Sequence, residues 1–272
     1  MNRTMLALFT GSALALGGGA VLAQSQADHS AHSAHAEHTP QVHAIHAAVA
    51  APDRPAEARA LDEGRKPAEV LAFLGLKPGM AAADLIPGEG YWSEIMAHVV
   101  APSGSVAALQ PQQFRGGEAA DAAWNALSER APGVSLVHYP FEAFTYQASS
   151  FDFAIMSLNY HDLYWVSEQY SVPFTDPDTF VAALYTSMKL GGIVGIIDHT
   201  GAPGDTREGV DKTHRIDPAV VRADFERAGF VLADQSDLLA NPDDDLSVSV
   251  FAPGIRGNTD RFVMKFVKPA AD

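Results

Sequence analysis

The sequence predicts an α/β protein whose mostly parallel sheet is covered by helices on both faces. Short apolar stretches typical of buried strands alternate with longer stretches in which apolar residues recur at helical spacing. One of these strands passes through two glycines directly into a helix-like segment. A chain of 272 residues, 47% of them hydrophobic, is long enough to enclose one large core of this kind.

The order of the elements follows from the two periodicities, with Gly, Pro and polar clusters marking the boundaries. Helices are predicted over 65–74, 92–100, 121–130, 178–190 and 218–229. Strands are predicted over 81–85, 105–110, 134–138 and 260–269. Asp217 is the expected N-cap of the helix that begins with Pro218. Because ligands of such sheets bind at the carboxyl ends of the strands, polar residues at those ends are expected to form one site.

The first 23 residues have the features of a secretion signal. Arg3 precedes an apolar stretch over 5–21, and Ala23 completes a small-residue cleavage site before Gln24. A membrane anchor is the alternative, but the stretch is rich in glycine and no basic residue directly follows it. We therefore expect cleavage after Ala23, a periplasmic or secreted protein, and no stable membrane anchor.

Six of the eleven histidines lie in a segment rich in Ala, His, Pro and Gln that follows the signal. They are His29, His32, His35, His38, His43 and His46. Neighbouring imidazoles suit Zn²⁺ or Cu²⁺, and the alternative is a solvated tether without a specific role. We expect residues 24–55 to be a disordered linker, with metal binding left open, and residues 56–272 to form the folded domain.

Charge and cysteine content restrict the partners. The formal net charge is −15, which argues against nucleic acid and anionic membranes because phosphate binding needs clustered cations. The chain has no cysteine, so no disulfide framework supports it. A small-molecule ligand is the expectation that remains.

The turn after the first predicted strand is the most informative motif. A strand that enters a helix through glycines presents backbone N–H groups to a ligand, although an ordinary βα loop is the alternative. A dinucleotide fingerprint would need a third glycine where Ser93 stands, which disfavours an NAD-dependent oxidoreductase, and no P-loop lysine follows. The residues expected to bind a nucleotide or nucleoside here are Asp84, Pro87, Gly88, Glu89, Gly90 and Tyr91.

The pattern D-x-x-x-G-x-G of this turn resembles motif I of the class I S-adenosylmethionine-dependent methyltransferases, with Ile86 in place of the first glycine. Gln110 stands where that family has a ribose-binding acid at the end of the second strand. Segments 150–157 and 190–199 resemble the family's fourth strand and its L-x-G-G turn with the fifth strand. The resemblance implies a Rossmann-like, seven-stranded, mostly parallel sheet with an antiparallel last strand. It also implies S-adenosylmethionine as cofactor, with Gln110 and Asn159 among its contacts.

Four further motifs are similar to those of a bacterial family of exported methyltransferases. They are N-Y-H-D at 159–162, D-H at 198–199, H-R-I-D at 214–217 and R-F-V-x-K-F-x-K-P at 261–269. Together with the glycine turn they occur in the family's order over about residues 60–269. This resemblance does not indicate which molecule accepts the methyl group.

The catalytic candidates follow the fourth and fifth strands. Tyr160, His161 and Asp162 stand where class I methyltransferases often contact both cofactor and substrate. His161 is a candidate general base, and the alternative is a structural histidine. His199 is a second candidate in which Asp198 would orient an imidazole, and the alternative is a capped loop.

Three further segments complete the expected site. His214 and Arg215 are candidates for binding an acidic substrate. The aromatic stretch 160–174 is long enough to be a lid or a substrate wall, or else a surface loop that buries its own aromatic rings. The aspartates at 243–245 are expected to form a solvated acidic turn rather than a Ca²⁺ site.

The sequence therefore predicts an exported S-adenosylmethionine-dependent methyltransferase that acts on a small molecule. The alternative is a non-catalytic periplasmic binding protein of the same fold, with the histidine-rich arm holding metal.

Overall fold

The computed structural model describes residues 40–270, which form a three-layer α/β fold. The signal segment 1–23 and four of the predicted metal ligands, His29, His32, His35 and His38, lie outside these residues. The helices within 40–270 are α1 (Pro40–Val49), α2 (Ala56–Arg59), α3 (Asp62–Arg65), α4 (Pro67–Leu74), α5 (Tyr91–Val100), α6 (Glu118–Arg130), α7 (Pro177–Ser187), α8 (Thr206–Thr213) and α9 (Pro218–Ala228). The strands are β1 (Ala81–Leu85), β2 (Ser105–Pro111), β3 (Val134–Tyr139), β4 (Phe151–Ser157), β5 (Met188–His199), β6 (Val231–Ser236) and β7 (Arg261–Val267).

The seven strands form one sheet in the order β3-β2-β1-β4-β5-β7-β6. Strands β1 to β5 pair in parallel, whereas β7 runs antiparallel between β5 and β6. This arrangement confirms the predicted class I methyltransferase topology. From β1 the strands are added toward one edge of the sheet up to β3, and from β4 they are added toward the other edge. The boundary between β1 and β4 is therefore the switch point, where open α/β sheets bind ligands.

Both faces of the sheet are covered because successive residues of the central strands enter different cores. Ala83 and Met156 point to the core built with α7 and α9, and Ala82 and Ile155 point to the core built with α4, α5 and α6. Near-continuous apolar strands are typical of parallel sheets buried on both sides. The polar ends of these strands are therefore left as the edge that a ligand can reach.

The folded unit begins earlier than expected. Residues 40–49 form helix α1, which packs against α4 and α5, so the prediction of a disordered linker up to residue 55 was wrong for this part. Ile45 and Ala48 are three residues apart, lie on one helix face and are buried. His43 and His46 lie on the exposed side of the same helix. Two buried apolar residues within a His- and Ala-rich composition account for the missed helix.

Element boundaries differ from prediction by a few residues, most clearly at the end of α7. Helix α7 ends at Ser187 rather than at 190, and the L-x-G-G segment lies inside β5 as an irregularity, not as a turn. Gly191 has a φ of 75°, and its N–H donates to the carbonyl of Lys268, which keeps the segment paired. Asp217 accepts a hydrogen bond from the N–H of Ala219 at 2.8 Å, which confirms it as an N-cap.

Within residues 40–270, the helices are all too short or too polar to cross a membrane.

Candidate functional site

The glycine turn joins β1 to α5 through three residues with positive φ. Ile86, Gly88 and Gly90 have φ values of 56°, 58° and 82°. A Cβ on Gly88 would meet no atom within 4 Å, because the residue faces open space. A Cβ on Gly90 would instead overlap Leu127 and lie 2.9 Å from the ring of Trp124, both on α6. Gly90 therefore makes room for a helix, and the prediction that it makes room for a cofactor is corrected.

Ile86 stands at the position of the family's first glycine and adopts the left-handed conformation that glycine adopts without strain. Its backbone is held from both sides of the switch point. The N–H of Ile86 donates to the carbonyl of Leu109 at 2.9 Å, and its carbonyl accepts from Nδ2 of Asn159 at 3.0 Å. Nδ2 of Asn159 also donates to the carbonyl of Ser157. Asn159 thus ties the end of β4 to the glycine turn and leaves Oδ1 as its uncommitted polar atom.

Gln110 supports the same turn from β2. Its Oε1 accepts from the N–H of Gly88 at 3.2 Å, and its Nε2 donates to the carbonyl of Phe114 at 2.6 Å. The side chain is buried. In this structure Gln110 therefore fixes the position of Gly88, a role that the comparison with a ribose-binding acid did not anticipate.

Two adjoining cavities open at this edge of the sheet. The first, of about 680 Å³, extends from the glycine turn across the ends of β4 and β5 to β7. The second, of about 660 Å³, lies over β2, the segment after β4 and the loop before β7. Volumes of this size accommodate small ligands and cofactors. Shared by both cavities are Ile86, Gly88, Leu158, Asn159, His199, Val250 and Phe251.

Most of the predicted site residues meet at these cavities. The first is lined by Asp84, Pro87, Gly88, Glu89, Tyr91, Asn159 and His199. The second is lined by Gly88, Gln110, Asn159, His161, Asp162 and His199. Three of the predicted site residues, Gly90, Tyr160 and Arg215, line neither cavity.

Asp84, the penultimate residue of β1, lies beneath the first cavity. Its Oδ2 accepts from the hydroxyl of Ser93 at 2.7 Å, and the carboxyl is 1% exposed. Burial raises the pKa of Asp84 to about 7, although Ser93 and Arg65 oppose the shift. A carboxyl whose pKa lies near 7 is readily ionised by a cation that enters the cavity, and it then binds that cation favourably.

Tyr91 connects the first turn of α5 to the segment that precedes the sheet. Its hydroxyl donates to Asp62 at 2.7 Å, and Asp62 is paired with Arg54 at 2.8 Å. The guanidinium of Arg65 lies 4.3 Å from the centre of the Tyr91 ring. Burial and the Asp62 carboxylate raise the pKa of Tyr91. Tyr91 thus holds α3 in place along the rim of the first cavity.

His161 lies between two carboxylates at the bottom of the second cavity. Its Nδ1 is 2.8 Å from Asp198 Oδ1, and its Nε2 is 3.5 Å from Asp162 Oδ1. Burial favours the neutral imidazole, but Asp198 and Asp162 outweigh it and raise the pKa of His161 to about 9. Burial likewise raises the pKa of Asp162 to about 6, against the charge of His161. Asp198 and Asp162 therefore favour the protonated form of His161, which supports a positioning role rather than the general-base role that the sequence suggested.

His199 is a neutral imidazole at the site. Its Nδ1 is 2.7 Å from the hydroxyl of Thr259, and burial lowers its pKa to about 4 despite the nearby Asp198. Asp198 orients the ring of His161, not that of His199 as expected, and accepts from the backbone N–H of both residues. His199 borders both cavities, which places it where a cofactor and an acceptor would meet.

Tyr160 is turned away from the cavities. Its hydroxyl donates to Asp224 on α9 at 2.8 Å, and the same carboxylate accepts from the hydroxyl of Tyr164 at 2.6 Å. The side chain is fully buried, and its proposed catalytic role is corrected to a structural one. Arg215 is also structural, because it is buried in a 2.6 Å ion pair with Asp244. Asp244 is thus not the solvated residue that was predicted.

Phe251 and two arginines at the site were missed by sequence reasoning, whereas Trp165 and Tyr170 belong to the predicted aromatic stretch 160–174 and His214 was itself a candidate. Aromatic rings form a continuous wall of the second cavity, with centroid distances of 5.6 Å from Tyr170 to Trp165, 4.9 Å from Trp165 to His214 and 4.8 Å from His214 to Phe251. Arg65 and Arg261 line the first cavity. Arg261 could have been found, because the first residue of an antiparallel strand lies at the carboxyl edge of its parallel neighbours.

The metal prediction has no support in residues 40–270. In this part of the chain, no group of three or more His, Cys, Asp or Glu side chains is arranged to hold a metal ion. His43 and His46, the two predicted ligands that the structure describes, are exposed on α1.

Comparison with known proteins places the fold. No protein-family model matches the chain, and no curated protein matches its sequence. Among solved structures, an S-adenosylmethionine-dependent methyltransferase from Aquifex aeolicus is 18% identical, with a TM-score of 0.53 over 79% of this chain and 98% of its own. Phosphoethanolamine N-methyltransferase 2 from Haemonchus contortus, in complex with S-adenosyl-L-methionine, is 14% identical, with a TM-score of 0.51 over 77% of this chain and 53% of its own. The cyclase SpnF is 15% identical, with a TM-score of 0.53 over 79% and 82%. The chain therefore has the fold of class I methyltransferases.

Proposed function

We propose that this protein is an S-adenosylmethionine-dependent methyltransferase that acts on a small molecule. The observation that carries the proposal is Gly88, which stands at the switch point between β1 and β4 and faces open space beside a cavity of about 680 Å³. The solved structures of similar fold that are named as methyltransferases support the same reaction.

The residues around Gly88 fit the cofactor. Residue 88 is a glycine, so it has no side chain that could obstruct the cavity beside it. The Asp84 carboxyl lies beneath the same cavity. A carboxylate favours a ligand that carries sulfonium and ammonium charges. Asn159 offers Oδ1 at the end of β4, and Tyr91 closes the rim. When bound, the cofactor supplies an electrophilic methyl group.

The chain's own residues position the acceptor and handle its proton. The aromatic wall of the second cavity binds an apolar part of the acceptor and excludes water. His199 is neutral above about pH 4 and accepts a proton where the acceptor must lose one. His161 stays protonated and holds Asp162 at the rim, so it acts as a positioning residue.

We also assign the protein to the exported bacterial methyltransferases and to the periplasm or the extracellular space. The motifs at 159–162, 198–199, 214–217 and 261–269 support the family, and the signal-like pattern over 1–23 supports export. N-terminal sequencing of the native protein tests export, with Gln24 as the expected first residue and Met1 as the contrary result.

Ligand titration tests the enzymatic proposal. S-adenosylhomocysteine should bind the full chain with a stoichiometry near one and raise its melting temperature, whereas NAD should do neither. If neither ligand binds at millimolar concentration, the reaction assignment fails, and a non-catalytic binding protein of this fold becomes the better description. SpnF has a similar fold but is named as a cyclase, so the fold alone does not establish methyl transfer.

A further inference from the structure

Arg65, which is partly buried, and Arg261, which is buried, make no ion pair within the described chain. Both line the first cavity. Within residues 40–270, no carboxylate oxygen lies within 4.0 Å of either guanidinium, whereas eight other Arg and Lys side chains have such a partner. The acids of the same cavity, Asp84 and Glu89, lie beside the glycine turn and act on Arg65 only through charge interactions beyond ion-pair distance.

The donors of Arg261 are only partly used. One Nη donates to the carbonyl of Gly64 at 2.9 Å, while Nε is buried and has no hydrogen-bond partner in the described chain. The residue is 9% exposed. Burial lowers the pKa of Arg261, and the neighbouring charge of Arg65 lowers it further. An unmatched buried guanidinium is costly, and an anion in the cavity would remove that cost.

Arg65 is held in a fixed orientation. Its guanidinium packs over the ring of Tyr91, with its central carbon 4.3 Å from the ring centre, and Tyr91 is itself fixed by Asp62. Two guanidinium groups held in this way present several N–H donors in forks that match a carboxylate or phosphate. Arg256 is exposed and lines the same cavity.

The position of Arg261 indicates which ligand the subsite serves. Arg261 is opposite His199 in the β5–β7 pairing, so β4 and β5 separate it from β1. The cofactor is expected beside the glycine turn, at the switch point between β1 and β4. The end of the cavity toward β7 is then left for the second ligand.

We propose that Arg65 and Arg261 form an anion subsite that binds the carboxylate or phosphate of an acidic methyl acceptor. This inference rests on the proposed function, because it assigns the anion to the acceptor of that reaction. The alternative source of the same chemistry is the α-carboxylate of the cofactor.

Inorganic phosphate is the probe, and NaCl at equal ionic strength is the baseline. The melting temperature of the full chain is measured with each, in the presence and absence of saturating S-adenosylhomocysteine. Phosphate should stabilise the wild type in both series. Arg261→Gln and Arg65→Gln should weaken phosphate binding roughly tenfold or more, because each removes charge-assisted hydrogen bonds. Arg222→Gln, which removes an exposed arginine that is paired with Glu226 on α9, should bind phosphate like the wild type.

Each contrary result has a distinct meaning. Equal phosphate stabilisation in all three variants would overturn the subsite. Phosphate stabilisation that disappears when S-adenosylhomocysteine is present would assign the anion to the cofactor and overturn the acceptor assignment. The series without S-adenosylhomocysteine tests the anion subsite whether or not that ligand binds. A failure of the methyltransferase proposal can therefore be distinguished from a failure of the subsite. If Arg261→Gln does not fold, Arg65→Gln carries the test, since Arg65 is only partly buried and its side chain makes no hydrogen bond within the described chain.

Discussion

Gly88 and Gly90 are two residues apart, yet the structure predicts opposite consequences when each is replaced by asparagine. Asparagine tolerates the left-handed conformation that both glycines adopt, so the comparison isolates what the new side chain meets. At position 88 it enters open space beside the cavity, and at position 90 it meets Trp124 and Leu127.

The magnitudes follow from those contacts. Overpacking of a well-filled core costs about 1–3 kcal/mol, and each kcal/mol shifts the melting temperature of a domain of this size by roughly 2–4 °C. Gly90→Asn should therefore lower the melting temperature by roughly 2–12 °C. Gly88→Asn should change stability by no more than about 0.5 kcal/mol, since the Cβ that it adds has no protein atom within 4 Å. It should weaken S-adenosylhomocysteine binding roughly tenfold or more, which corresponds to about 1.4 kcal/mol.

Calorimetric titration and thermal melts of the two variants provide the assay. The reasoning is refuted if Gly88→Asn binds S-adenosylhomocysteine like the wild type, or if Gly90→Asn melts at the wild-type temperature. Each variant serves as the control for the other, because both introduce the same residue into the same turn.

Three further predictions concern the buried polar groups. The raised pKa of His161, about 9 against an ordinary 6.5, means that the stability contributed by its charge is complete below pH 6.5 and is lost as the pH rises through 9. Melting temperatures measured from pH 6 to 10 should fall over that interval in the wild type and be flatter in His161→Gln, and parallel curves would contradict the assignment. Because the pKa of Asp84 is about 7 and a cation favours its charged form, affinity for S-adenosylmethionine should rise from pH 6 to 8; titrations of Asp84→Asn should not show the rise. Tyr160→Phe should lose roughly 1–3 kcal/mol of unfolding free energy in urea, because it removes the hydrogen bond to Asp224, and S-adenosylhomocysteine binding should stay unchanged. If a stably folded Tyr160→Phe protein bound S-adenosylhomocysteine more weakly than the wild type, Tyr160 would have to contribute to the binding site after all.

The fold could be predicted largely from local patterns, because helix and strand periods, glycines and caps are properties of neighbouring residues. Asp217 was recognised as a cap from its own position before Pro218, and the structure places it there. Helix α1 was missed because its anchoring residues, Ile45 and Ala48, are few and are surrounded by alanine and histidine.

The site was less predictable, because its chemistry depends on partners that are distant in sequence. The protonation of His161 is set by Asp198, 37 residues away, and the direction of Tyr160 by Asp224, 64 residues away. The role of Gly90 depends on Trp124 and could not be seen from the motif. Sequence reasoning identified the edge of the sheet where the residues meet, and packing decided which of them face the cavities.

The most direct test of the central claim is a crystal structure of the full chain with S-adenosylhomocysteine. The account predicts density in the first cavity, in contact with the backbone of Gly88 and with Oδ1 of Asn159, and with the sulfur directed toward His199. Density confined to another surface, or an unoccupied cavity in crystals grown at millimolar ligand, would contradict it.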